Sequence, residues 1–187
     1  MTRDPASIKA LKNYYNDKLA PLDIQEMEKE LLGTNDRALV IILGTLIDDA
    51  LQYLLATRMR KLNDTDFSET FRFNGPLGPF SNRIEMSFVF GLIEPDLRER
   101  LHELREMRNA CAHCRRHISF ETPQLANVAK RFLKDALFKL QGDTLADIRS
   151  SMSAECFFLF NVLISSREEA MAALKKALEK ASAAETP

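Results

Sequence analysis

The sequence predicts an all-α, single-domain bundle of about six to eight helices. Three observations lead there. The chain is rich in Leu, Ala, Glu, Lys and Arg, which are good helix formers. Almost no stretch alternates apolar and polar residues with period 2 between turn residues, as half-buried strands do. Its 187 residues are 45% hydrophobic and 28% charged, enough apolar material for one globular core.

The elements follow in order. Residues 1–32 predict N-terminal helices, one from Pro5 to Ala20 stopped by Pro21 and one from Asp23 to Leu32 stopped by Gly33. Residues 35–142 predict the core. Asn35 or Asp36 caps "DRALVIILGTLIDDALQYLLATRMRKL", a helix to about Leu62 that is apolar on nearly every side in its first half, as for a helix inside a bundle or at an interface. "NDTDFSETFRFNGPLGPFSN", residues 63–82, reads as an ordered loop at best, with Phe71, Phe73 and Phe80 either pinning it to the bundle or free to stack on bases.

A helix restarts over Phe80–Leu92, and another begins with Pro95 at its first position. Along it Leu97, Leu101, Leu104 and Met107 or Arg108 recur at helical spacing and lead into "MRNACAHCRRH". Thr122-Pro123 starts a helix running to about Leu140, ended by Gly142. Residues 143–187 predict C-terminal helices with a frayed end. Thr144–Asp147 and Ser166–Glu169 both fit a capping box, and "ECFFLFNVLI" is apolar on enough sides to be central core or a dimer face.

The formal net charge of −1 gives no overall positive field toward nucleic acid or an anionic membrane, so any such contact comes from a local patch. The N-terminus lacks a signal-peptide core and no apolar run reads as long enough to span a bilayer, so the expectation is a soluble, cytoplasmic protein without a membrane partner. Three cysteines without an export signal are expected to be reduced thiols.

The run from Met107 to His117 supports three readings. Cys111, Cys114 and His117 have the look of metal-ligand spacing, yet on a helix three-residue steps fan around the axis, and neither Cys156 nor His102 offers a paired fourth ligand. No metal and no cofactor are expected; the cysteines read as small packing residues. In the second reading Arg108, Asn109 and His113 form RNxxxH. Asn109 and His113 share a helix face, and Arg108 lies about 140° round from the histidine, within reach of a long side chain. An imidazole that moves a proton and a guanidinium that holds a phosphate suit cleavage of an RNA phosphodiester, with Asn109 fixing the tautomer and the 2′-hydroxyl as nucleophile. In the third reading Arg108 pairs with Glu103, Glu106 or an acid on another helix, and His113 suits the negative end of its helix dipole. Arg115 and Arg116 either extend a phosphate- or RNA-binding surface or form a solvated helix end. Asp48 and Asp49 are either a paired acid site, one of them facing Arg108 in a dimer, or acids that mark the polar edge of a buried helix or pair with a neighbouring cation.

"DRALVIILGTLIDDAL", then "FNGPLGPFSNRIEMSFVFGLI", then "LHELREMRNACAH" together resemble the mannitol operon repressor family over roughly residues 30–120. That family is similar in turn to HEPN-type helical domains, marked by an RxxxxH motif of the kind formed by Arg108 and His113. The resemblance implies a helical bundle, a homodimer and one of two functions. One is a regulatory interaction protein that influences transcription through a protein partner, because the sequence has no helix-turn-helix pattern, basic recognition helix or zinc module. The other is a metal-independent endoribonuclease assembled across a dimer, with Arg108, Asn109 and His113 as its site and RNA as its partner. One departure is Cys111, where the family segment usually carries a larger hydrophobic residue.

Overall fold

The computed structural model describes residues 24–138, 140, 142 and 144–165. Among them are seven helices and no strands, the all-helical bundle that the composition predicts. They are α1 (Ile24–Gly33), α2 (Asp36–Arg58), α3 (Asp64–Phe71), α4 (Phe80–Val89), α5 (Pro95–His113), α6 (Pro123–Lys134) and α7 (Leu145–Ile164). The expected helix over Pro5–Ala20, the Ser166–Glu169 capping box and the frayed C-terminal end lie outside the described residues.

The chain divides into two compact units, one ending at Leu32 and the other starting at Gly33. In the first, α1 stops at Gly33 as its sequence suggests. The second is built around α2, which packs against α4, α5 and α7, while α5 also meets α4 and α6, and α6 meets α7. Leu39, Val40, Leu43, Ile47, Leu51 and Leu55 of α2 are essentially without solvent contact. α2 is long and apolar enough to cross a membrane, which corrects the sequence reading that no run is. More than half of its most apolar stretch is buried inside the unit, as in the core helix of a bundle.

The caps explain where the helices start. Asn35, not Asp36, caps α2 by accepting from the Ala38 amide at 2.9 Å. Asn63 does the same for the Asp66 amide at 2.8 Å, and that cap, with acids in the first turn, starts α3 inside a stretch that the sequence reading assigns to a loop. Thr144 and Asp147 form the expected capping box of α7.

The ends are set by tertiary contacts more than by sequence. α2 stops at Arg58, where Met59 becomes extended ahead of the α3 cap. α4 stops at Val89 because the chain turns back, Gly91 N donating to Phe88 O and Leu92 N to Ser87 O, both at 2.8 Å. α6 stops at Lys134, short of the expected Leu140, because the buried Glu155 carboxylate accepts from the Leu137 and Phe138 amides at 3.1 and 3.2 Å. Arg100 completes that arrangement, donating to Glu155 and, at 2.8 Å, to the Phe132 carbonyl.

The "GPLGPFSNRI" block is a tight turn locked to α2. A Cβ on Gly78 would fall 2.1 Å from the Arg72 carbonyl oxygen, so no larger residue fits the turn. Arg83, itself buried, donates to the Leu77 carbonyl at 2.8 Å and to the Asp48 carboxylate at 2.7 Å. Phe71 and Phe80 are buried, with Phe71 joining Leu55 and Leu77 in a small cluster, so two of the three phenylalanines do pin the segment. Phe73 is 89% exposed.

Candidate functional site

α5 delivers the RNxxxH residues. Its buried stripe is Leu101, Leu104, Met107 and Cys111, so Met107, not Arg108, continues the apolar face and Arg108 is half-buried beside it. α2 and α5 run antiparallel and touch closely at this level. A Cβ on Gly44 would lie 2.8 Å from both Cβ and Cγ of Arg108, so the arginine stem is packed on a glycine.

That guanidinium donates through Nη1 to Asn109 Oδ1 at 3.2 Å. No hydrogen bond joins Asn109 to His113, so the asparagine holds the arginine and not the imidazole as the sequence reading has it. Nor does Arg108 pair with the nearby glutamates. Glu103 takes Arg131 at 2.7 Å and Glu106 takes Arg105. His113 is exposed on the last turn and makes no hydrogen bond among the described residues.

The helix ends at His113, and Arg37 fixes that end. Its Nε donates to the Cys111 carbonyl at 2.6 Å and its Nη2 to the Cys114 carbonyl, satisfying two of the carbonyls a helix leaves open. Next to it, Asp36 accepts from the Phe120 amide at 2.8 Å and from Arg149 of α7. The "DRA" start of α2 therefore ties together the end of α5, the bend after it and the start of α7.

Because the helix stops there, Cys114, Arg115, Arg116 and His117 lie in a cap and bend, which corrects the picture of a helix running through them. Arg115, Arg116 and His117 are exposed and form no ion pair among the described residues. All three cysteines are free. Cys111 is buried, and burial pushes its thiol up to about 11; burial also raises that of Cys156, while Cys114 is half-exposed. Among the described residues no group of three or more His, Cys, Asp or Glu is placed to hold a metal ion.

Asp48 lies on α2 one turn beyond Gly44. Burial raises its carboxyl above the ordinary range, against the lowering influence of Arg83 and, more weakly, Arg108. It is paired with the neighbouring Arg83, the cation-paired alternative of the sequence reading, and Arg108 contributes through space. A second charged group was not singled out from sequence. Glu85 accepts from Arg98 at 3.1 and 2.7 Å and sits 2.7 Å from His102 Nε2, and these hydrogen bonds hold its carboxyl below the ordinary range. Their spacing, across two helices, carries no local signal.

The two ends of α2 have different neighbours. Its Arg37 end borders His113, Arg115, Arg116 and His117; its Leu55 end joins the Phe71 and Leu77 cluster, with Met86 and Leu92 packed on it and Phe73, Val89 and Phe90 exposed nearby in sequence. Arg37 and Leu55 are separated by about 27 Å of helix rise. Compared with known proteins, the chain matches no family model, no curated protein and no solved structure.

Proposed function

We propose that this chain is a regulatory interaction protein of the mannitol-repressor-like kind, acting as a cytoplasmic homodimer that influences transcription through a protein partner. The observation that carries the reading is a set of large apolar side chains left exposed in the second unit. Phe73, Val89 and Phe90 are 89%, 67% and 51% exposed, although their neighbours Phe71, Met86 and Leu92 pack into one cluster. Large apolar side chains left exposed next in sequence to residues of one core cluster suit a surface that meets another protein. The test is a photo-reactive phenylalanine analogue at Phe73, with crosslinked proteins identified by mass spectrometry. Recovery of a transcription factor or polymerase subunit, lost when Val89→Asp and Phe90→Asp are added to the chain carrying the analogue, supports the reading; recovery of neither overturns it.

The second reading is a metal-independent, HEPN-type endoribonuclease. It draws support from His113, which is exposed and free of hydrogen bonds among the described residues, on the helix that carries Arg108 and just before Arg115 and Arg116. His113 would move the proton and Arg108, held by Asn109, would bind the phosphate. Total RNA incubated with the protein in excess chelator tests it. Cleavage that disappears in His113→Ala supports the enzyme, and intact RNA at high protein concentration removes it.

A further inference from the structure

We infer that Cys111 and Cys114 are a redox-sensitive pair: a low-molecular-weight disulfide oxidises their thiols to one intramolecular disulfide, which rebuilds the last turn of α5. Neither proposed function uses these two thiols.

Their placement is the first observation. Cys111 is buried in that turn, and Cys114, half-exposed, follows it as the C-cap residue. The Cys114 amide still donates to the Ala110 carbonyl at 2.9 Å and its φ is −63°, so the residue is helical through its Cβ; only its ψ of 127° leaves the helix. Helix geometry then sets the two Cα atoms about 5 Å apart, inside the range that a disulfide spans. The two Cβ atoms stand about 5–6 Å apart, roughly 1–2 Å wider than a disulfide holds them. Closing the bridge therefore requires the last turn to shift.

The second observation is what holds that turn in the reduced protein. Arg37 donates through Nε to the Cys111 carbonyl at 2.6 Å and through Nη2 to the Cys114 carbonyl. The same cation acts on the Cys111 thiol: burial pushes the thiol up to about 11, while Arg37 pulls it down and the neighbouring Cys114 adds to the rise. One guanidinium thus clamps the backbone of both cysteines and favours the thiolate of the buried one. The bridge and the clamp act on the same span, so oxidation shifts the turn that Arg37 fixes and carries His113 with it. Cys156 stands apart, since the charges acting on its thiol are those of Glu155 and Arg100.

The difference in exposure orders the steps. The Cys114 thiolate attacks one sulfur of the small disulfide, expels a thiolate and becomes a mixed disulfide. The Cys111 thiolate, which needs no access to solvent, then attacks the Cys114 sulfur and expels the second thiolate. Two electrons pass from the protein to the small disulfide, and the two protein protons end on the two small thiols released. A bridge that closes only when the turn shifts is a labile one, and excess thiol reopens it.

The test incubates the reduced full chain with oxidised glutathione, quenches with acid and maps the cysteines by mass spectrometry. Wild type is expected to lose two hydrogen masses in the peptide spanning residues 109–115, with Cys156 still a thiol, and to regain them in excess dithiothreitol. Cys111→Ala is expected to stop at a glutathione adduct on Cys114. Cys114→Ser, at a half-exposed position with little risk to the fold, is expected to lose the reaction. Amide exchange over residues 110–114 is expected to be about tenfold faster in the oxidised than in the reduced protein, with α6 unchanged. No reaction of wild type, a Cys114 adduct that never closes, a bridge to Cys156, or exchange that oxidation leaves unchanged overturns the proposal.

Discussion

Arg108 lies against Gly44 so closely that one added methyl on the glycine would fall 2.8 Å from both its Cβ and its Cγ. The residue most suggestive of chemistry in this chain is therefore also a packing residue at the crossing of α2 and α5. Gly44→Ala is expected to push these helices apart and destabilise the fold by about 1–3 kcal/mol, the usual cost of overpacking. Adding Arg108→Ala should recover only part of the loss, because the Cβ contact stays. Urea midpoints of the two single variants and the double variant measure it; a Gly44→Ala protein as stable as wild type would contradict the close crossing.

Arg37 holds the end of α5 from another helix. Its two hydrogen bonds reach carbonyls three residues apart, a span suited to a planar fork. Removing it in Arg37→Ala should cost about 1–3 kcal/mol and loosen the last turn, where His113 sits. Arg37→Lys should rescue less than half. Amide exchange over residues 110–114, faster in both variants than in wild type while α6 is unchanged, is the expected signature.

Glu155 is 1% exposed and serves three donors, the Arg100 guanidinium and the amides of Leu137 and Phe138. Glu155→Ala leaves a cation and two amides without their acceptor, and is expected to destabilise by about 3–5 kcal/mol. Glu155→Gln keeps one acceptor oxygen and should lose less. Thermal melts of the two variants would show whether the order holds.

Two carboxyls give acid responses of opposite sign. Glu85 is held below its ordinary 4.5 by Arg98 and His102, so its stabilising contribution is full above 4.5 and is lost as pH falls through its lower folded value. Asp48 is raised above 3.8 by burial, so the native state holds its proton more tightly; its effect lowers stability as pH rises from 3.8 through the raised value and is constant above. Urea midpoints followed from about pH 3 to pH 7 should therefore fall less steeply toward acid in Glu85→Gln than in wild type. In Asp48→Asn they should fall more steeply toward acid. Glu85 is partly solvated, which keeps its share small.

Much of the fold was legible because it is local. The stripe of Leu101, Leu104 and Met107 has helical spacing, Pro95 and Pro123 stand at helix starts, and the Thr144–Asp147 box is a four-residue pattern. Asn63 was legible too, since "NDTD" holds a cap and an acidic first turn, but the neighbouring turn signals outweighed it. The site was less legible. RNxxxH fixes which residues share α5, but the partners of Asn109, the stop at His113 and the placement of Arg115 and Arg116 off the helix depend on Arg37, seventy-four residues before Cys111.

By itself, then, the sequence determined the helical class, most helix starts and the presence of Arg108, Asn109 and His113 within one turn and a half of each other. These follow from capping and periodicity, which act over a few residues. Only the tertiary structure decided where α5 and α6 end, that Asn109 serves Arg108, that Asp48 answers Arg83, and that Arg37 of α2 holds the last turn of α5. Each of those depends on hydrogen bonds or close contacts between groups far apart in the chain, and their partners exist only once the helices have packed.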